Sequence, residues 1–287
     1  KRRRPILVTE TSMRFRPLLA ALLLACSLPS GAAEPPLIFD SGKKTLYPAP
    51  QLLEHPAIRR IEVPDDVAYK RPMSYDALPL AWLLKAQGVL PSDTLQFKAL
   101  DGFAMTMPAA PLFNQYPDKA QAWLAIEHAD NKWPPLKGES GPGAGPFYLV
   151  WLNPRASRIS PEQWPYQIAR ISVEMPAARR WPQLAPAAEL PANHPARSGF
   201  ELFQKHCFAC HTLNGAGEAR LGPDLNQPLN PTEYLRDGVL RQLIRNNQSV
   251  RHWPEAKMPK FGPDVLAEKE LSDLLAYLQH MAGRKIK

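Results

Sequence analysis

Proline is spread through this chain at an unusual density, and it limits the folds that the chain can adopt. Of the 287 residues, 33 are proline, about twice the usual share of roughly 5%. A proline inside a helix removes a backbone hydrogen bond and clashes with the preceding turn. The chain therefore cannot be a bundle of long helices alone. Its hydrophobic fraction of 45% and charged fraction of 22% are those of a globular protein with a sizeable core.

The positive charge of the chain is concentrated at its beginning. The formal net charge is +8, but residues 1–33 contain six of the basic residues and a single acidic one. The remainder is close to neutral, which argues against a nucleic-acid-binding protein. We expect no nucleic-acid partner.

The same N-terminal stretch has the pattern of an export signal. Basic residues precede an apolar run over residues 18–25, and small residues stand before Glu34, as at a cleavage site. The run is shorter than the roughly 20 apolar residues of a membrane span. We expect residues 1–33 to be upstream residues and a signal peptide, and the protein to be periplasmic. Residues 23–26 also resemble a lipobox, so a form that is lipid-anchored at Cys26 is the alternative, and membrane association is expected only in that case.

Residues 34–175 alternate short apolar runs with turns, which predicts a mixed α+β domain. Apolar and polar residues alternate with period two over residues 94–100, as in a half-buried strand. Further strands are predicted over residues 37–39, 58–63, 123–126, 147–151 and 168–173. A short amphipathic helix is predicted over residues 78–88, and a turn at residues 101–102.

The composition changes after this first domain. Residues 176–195 contain five prolines and six alanines without an apolar period, which predicts a semi-rigid extended linker. The pattern then becomes helical, with Ser198 as the predicted N-cap of the first helix. Residues 267–281 repeat apolar side chains every 3.6 positions. We therefore expect a second, all-α domain over residues 196–287.

The cysteines outside the leader form a C-x-x-C-H motif with Cys207, Cys210 and His211. Thiols one turn apart can form thioether bonds to the two vinyl groups of a haem, and the adjacent histidine then lies under the iron. A redox C-x-x-C pair and half of a zinc site are the alternatives. A redox pair does not require the histidine, and a zinc site needs a second pair of ligands, which the sequence lacks. Export also favours haem, because bacterial haem attachment takes place outside the cytoplasm.

The segments around this motif follow a recognisable order. A helix precedes the motif, a Gly-Pro pair stands at residues 222–223, a Met-Pro pair at residues 258–259, and an amphipathic helix ends the chain. In length, order and motifs, residues 196–287 resemble the class I cytochrome c family. The resemblance implies the all-α cytochrome c fold and one covalently bound haem c.

The resemblance also implies a role for individual residues. Cys207 and Cys210 would bind the haem covalently, His211 would be the proximal iron ligand, and Met258 would be the sixth ligand. The carbonyl group of Pro223 would orient the ring of His211. A His/Met pair leaves no open position on the iron, so we expect electron transfer and assign no catalytic residue.

Other residues near the motif have less specific patterns. Arg251 and Trp253 are expected to contact the haem propionates. His206 and His252 are expected at the surface or in turns rather than as ligands.

Four short stretches of the first domain, at residues 75–79, 98–103, 145–150 and 164–171, share a pattern. They are similar to the molybdopterin-binding domain of the sulfite oxidase family. Catalytic members bind molybdenum through a cysteine of this domain, and residues 34–206 contain none. We therefore expect a sulfite oxidase-like mixed sheet without molybdopterin, used for docking and partner choice.

These resemblances imply an exported mono-haem cytochrome that passes single electrons between periplasmic redox partners, such as a dehydrogenase and an oxidase. Such a protein is an electron carrier rather than an enzyme. The alternatives are a molybdopterin-dependent oxidoreductase with a fused cytochrome, and a cytochrome subunit of a larger dehydrogenase or oxidase complex.

Overall fold

Two β-sheets form the first domain in the computed structural model, which describes residues 34–252 and 256–286. The strands of the larger sheet are β1 (Leu37–Asp40), β2 (Lys44–Tyr47), β5 (Thr94–Ala99), β6 (Ala104–Pro108) and β9 (Ile168–Glu174), in the spatial order β2-β1-β9-β5-β6. Those of the smaller sheet are β3 (Arg59–Val63), β4 (Met73–Pro79), β7 (Gln121–Ile126) and β8 (Phe147–Leu152), in the order β3-β4-β7-β8. Neighbouring strands are antiparallel except β1 and β9, which are parallel. The first domain is thus a mixed sheet domain, as predicted.

The strands predicted from apolar patterns are present. The alternating segment is β5, in which Leu95 and Phe97 are fully buried. The predicted turn connects β5 to β6, and Gly102 has a φ of +92° there, a left-handed conformation that favours glycine. Strands β2 and β4 were not predicted. Strand β2 is a short edge strand whose residues are all half-buried or exposed, and the last two residues of β4 were predicted as the start of the amphipathic helix.

Helices are short and few in this part of the chain. Helix α1 spans Ala49–Leu53 and helix α2 spans Leu80–Ala86. The predicted amphipathic helix is α2, whose apolar residues are buried against the sheets.

The segment between the two domains packs against the C-terminal domain. It contains helix α3 (Ala177–Arg180) and a single 3₁₀ turn over Pro182–Leu184. Leu184 is fully buried, and its carbonyl oxygen accepts a hydrogen bond of 2.7 Å from the hydroxyl of Tyr277. The ring of Trp181 meets that of Phe208 edge to face, with centroids 5.4 Å apart. The composition of this segment predicted an extended linker. The few apolar residues that anchor it are too sparse to form a periodic pattern in the sequence.

The C-terminal domain is helical, as predicted. Its helices are α4 (Pro195–His206), α5 (Pro231–Tyr234), α6 (Asp237–Arg245), α7 (Asn247–Val250) and α8 (Glu268–Ala282). Helices α4 and α8 cross at Gly199, where a Cβ atom would overlap the backbone of Asp273 and the Cβ atom of Tyr277. The first helix begins three residues before Ser198, because the side chain of His194 caps it instead. Ser198 donates a hydrogen bond of 2.8 Å to Asp273 across the crossing.

The predicted leader, with Cys26, and Trp253 lie outside the described residues. Within the ranges that the structure describes, no helix has both the length and the apolar character needed to cross a bilayer.

Candidate functional site

The C-x-x-C-H motif forms one tight turn at the end of α4. The backbone N–H groups of Cys210 and His211 both donate to the carbonyl oxygen of Cys207, at 3.1 and 2.9 Å. The two thiols are not joined in a disulfide. Burial raises the pKa of both thiols, that of Cys210 to about 12. Neutral thiols are poor nucleophiles for disulfide exchange, so the burial of these thiols does not favour redox-pair chemistry.

The ring of His211 is held in one orientation by the loop that follows. Its Nδ1 atom lies 2.8 Å from the carbonyl oxygen of Pro223. A carbonyl oxygen can only accept, so Nδ1 carries the proton and Nε2 keeps its lone pair. Burial lowers the pKa of His211, which favours the neutral ring that binds metals. Gly222 packs directly on the ring, where a Cβ atom would overlap it.

A cavity of about 630 Å³ lies beside this ring. Cys207, Cys210, His211 and Met258 all line it, and its volume is within the roughly 300–1,000 Å³ of cofactor pockets. The remaining lining is mainly apolar and comes from helices α5, α6 and α8 and the loops next to them: Leu235, Leu240, Ile244, Phe261, Leu274 and Leu278. The cavity therefore combines an apolar body with nitrogen and sulfur donors.

The loop that carries Met258 is tied to helices α6 and α7. The side-chain amide of Asn247 donates to the carbonyl oxygen of Met258 at 3.2 Å. The guanidinium of Arg245 donates to the carbonyl oxygen of Phe261 at 2.8 Å. These bonds fix the backbone at the methionine and three residues after it, which helps to keep its side chain at the cavity.

The family model described as Cytochrome c matches residues 196–282. This region is a cytochrome c domain. A search of curated proteins finds no match to the chain. The domain is that of an electron-transfer haem protein, and the family implies a haem c cofactor. The match does not extend to residues 34–195, so the resemblance to the sulfite oxidase family stays a prediction.

The residues of the cytochrome c domain fit a haem. Two thiols on one turn, an oriented imidazole and a thioether are the groups that hold haem c in proteins. All four line one apolar cavity. We therefore keep Cys207 and Cys210 as predicted attachment residues and His211 and Met258 as predicted ligands.

The other residues that the sequence singled out lie in different environments. Arg251 is exposed and is not among the described residues that line the cavity, so its contact with propionates stays a prediction. His252 is exposed, as expected. The expectation of a surface or turn position for His206 was wrong, because this last residue of α4 is buried beside Glu162 of the first domain and lines the cavity.

The first domain makes direct contact with the motif of the cytochrome c domain. The N–H group of Ala104, in β6, donates to the carbonyl oxygen of Ala209 at 3.1 Å. The N–H group of Arg220 donates to the carbonyl oxygen of Gly102 at 3.2 Å. Ala209 is buried within the core of the first domain. No sequence pattern indicated this contact, since backbone groups of distant segments make it.

A charged cluster extends the same contact. Glu218 of the cytochrome c domain accepts a hydrogen bond of 2.9 Å from Lys98 of β5. Arg180 of α3 contacts Glu218 at 3.0 Å and Glu174 of β9 at 3.0 Å. Burial alone would raise the pKa of Glu218, but the hydrogen bonds and the positive charges around it bring that pKa below its ordinary value. The carboxylate is therefore held ionised between the two domains.

Proposed function

We propose that this chain is an exported mono-haem cytochrome. Its cytochrome c domain would bind one haem through Cys207 and Cys210, with His211 and Met258 as axial ligands, and pass single electrons between partner proteins. The observation that carries the proposal is that these four side chains line a single apolar cavity. The predicted leader supports a periplasmic location, and lipidation at Cys26 is the alternative.

The residues around the cavity have distinct tasks in this proposal. When bound, the haem supplies one-electron redox chemistry. His211 is pre-oriented by the carbonyl of Pro223, so little reorganisation accompanies ligand binding. The loop of Met258 offers a thioether, which favours the reduced state of iron. The apolar lining would exclude water from the iron of a bound haem.

The first domain would dock partners such as a periplasmic dehydrogenase or oxidase. The bond from Ala104 to Ala209 supports this role, because it holds the first domain against the attachment turn. A partner bound to the first domain would therefore be kept near the haem edge. The same contact suits a cytochrome subunit of a larger complex, and co-purification with a catalytic subunit would indicate that form.

The test begins with protein from a host that exports it and attaches haem. We expect one iron and no molybdenum per chain, and haem that stays on the chain in a denaturing gel. The double variant Cys207→Ala/Cys210→Ala should lose this covalent haem, whereas the control Cys26→Ala should keep it. Haem that survives denaturation in the double variant refutes the attachment. Stoichiometric molybdenum would instead support the two-cofactor oxidoreductase.

A further inference from the structure

A buried acid–base pair joins the two domains next to the cavity. The Nδ1 atom of His206 lies 3.3 Å from the Oε2 atom of Glu162. The side chains are 1% and 2% exposed, respectively. Glu162 belongs to a 3₁₀ turn of the first domain, over Pro161–Gln163. His206 is the last residue of α4 and directly precedes Cys207.

The carboxylate of this pair is incompletely satisfied. Its Oε1 atom is buried without a hydrogen-bond partner among the described residues. A buried charge is costly unless it is paired and hydrogen-bonded. The ring of His206 meets that of Phe261 edge to face, at 5.8 Å between centroids, and lines the cavity. The pair is thus buried beside the cavity with one carboxylate oxygen left without a hydrogen bond.

The field of Glu162 reaches the attachment positions. Burial is the largest cause of the raised pKa of Cys207 and of Cys210, and the negative charge of Glu162 is the next for both. A charge that acts on the two thiols also acts on a group bound between them. The electrostatic effect is mutual, so charge on that group acts on the pair.

Other charged groups surround the pair from three elements. Arg158 forms an ion pair of 3.0 Å with Glu270 of α8. Lys205 of α4 donates to the carbonyl oxygen of Arg158 at 3.3 Å. Burial and the positive charge of Arg158 lower the pKa of Lys205. The negative charges of Glu270 and Glu162 act in the opposite direction and raise it. The side chains of Arg158 and Glu270 are more exposed than the pair, so solvent screens them more strongly.

A solvent-open cleft is lined by residues next to the pair in sequence. An open cleft of about 480 Å³ is lined by Gln163 and Lys205. These are the sequence neighbours of Glu162 and His206. We infer that water in this cleft is the proton source for the pair.

We propose that Glu162 and His206 form a redox-linked proton-binding site, through which the first domain sets the reduction potential of the haem. The proposal rests on the proposed function. When the haem held by Cys207 and Cys210 takes up one electron from a donor protein, the cavity would gain one negative charge. The pair then takes up one proton from water in the cleft. Oxidation by the acceptor protein returns the electron, and the proton leaves to water.

The test is a redox titration of the full-length haem protein from about pH 5 to about pH 9, a range that brackets imidazole titration. The wild-type midpoint potential should fall as pH rises. Over part of the range the slope should approach about 59 mV per pH unit. Glu162→Gln should flatten this dependence and raise the potential at high pH. The control Glu270→Gln alters a neighbouring, more exposed carboxylate and should keep the slope.

A second variant keeps the test decisive if Glu162→Gln fails to fold. His206→Gln should also flatten the pH dependence while its absorption spectrum shows intact covalent haem. A pH-independent wild-type potential overturns the proposal, as does a slope that survives in whichever of the two variants folds. Absence of covalent haem or of a one-electron midpoint in the wild type is a different result, because it refutes the proposed function itself.

Discussion

The Nδ1 atom of His211 lies 2.8 Å from the carbonyl oxygen of Pro223, and this contact sets the orientation of the predicted proximal ligand. Backbone bonds hold the contact in place, since the N–H of Gly222 donates to the carbonyl oxygen of Cys210 at 2.8 Å. The acceptor is a backbone group, so no side-chain substitution removes it. A substitution at Gly222 can instead change the packing against the ring of His211.

Replacing Gly222 with alanine should disturb this orientation. The new Cβ atom would overlap the ring of His211, and overpacking of this kind costs about 1–3 kcal/mol. We expect the free energy of unfolding of the haem protein to fall by that amount and the haem absorption bands to shift. Thermal unfolding followed at the haem bands measures both effects.

The matched control for this variant is Gly238→Ala. Gly238 lies in α6, and a Cβ atom there meets no atom within 4 Å. Alanine in place of a helical glycine stabilises by roughly 0.5–1 kcal/mol. If Gly222→Ala is as stable and spectrally normal as Gly238→Ala, the packing argument for the His211 ring is wrong.

Replacing Met258 with alanine should open the sixth coordination position. We expect the variant to bind added imidazole and its reduction potential to fall, because the thioether that favours reduced iron is lost. Absorption spectra with and without imidazole, together with a redox titration, measure these changes. Met175→Ala is the control, since that side chain is 59% exposed on the first domain. An unchanged spectrum and potential in Met258→Ala would contradict the ligand assignment.

The cytochrome c domain could be predicted from sequence because its signals are local. The motif from Cys207 to His211 is five consecutive residues, and the period of α8 is contained within the helix itself. Local patterns of this kind do not depend on the rest of the fold. The individual strands β5, β7 and β8 were predicted on the same basis.

The arrangement of the first domain and its contact with the motif could not be predicted in this way. Strands β1 and β9 pair in parallel, with Ile38 opposite Arg170, although nearly the whole domain separates them in sequence. Ala104 and Ala209 meet through backbone atoms, which have no sequence signature. His206 was expected at the surface because its partner Glu162 belongs to another domain, and a lone polar residue gives no sign of a distant partner.

Replacing Gly199 with alanine should weaken the crossing of α4 and α8. The added Cβ atom would overlap the backbone of Asp273 and the Cβ atom of Tyr277, so the helices must separate. We expect a loss of about 1–3 kcal/mol in unfolding free energy, measured by denaturant titration. Ser198→Ala removes the hydroxyl that bonds to Asp273 across the same crossing and to the carbonyl oxygen of Pro195, and it should cost less, about 0.5–1.5 kcal/mol. Equal stability of Gly199→Ala and the wild type would contradict the close approach.

Removing the charge of Glu218 should weaken the contact between the domains in a pH-dependent way. The pKa of Glu218 is lowered in the folded protein, so its stabilising contribution is fully present above the ordinary carboxyl value and is lost as pH falls through the lowered one. Glu218→Gln should therefore be less stable than the wild type at neutral pH, by less than about 1 kcal/mol because the pair is partly exposed.

This difference should shrink as the pH falls below the ordinary value of 4.5, because protonation then removes the same charge from the wild type. Unfolding free energies of both proteins at a series of pH values measure it. Glu139→Gln, at an exposed position for which we expect no stabilising ion pair, is the control and should match the wild type throughout. A stability difference that stays constant as Glu218 is protonated would mean that Lys98 and Arg180 do not act through the charge of the carboxylate.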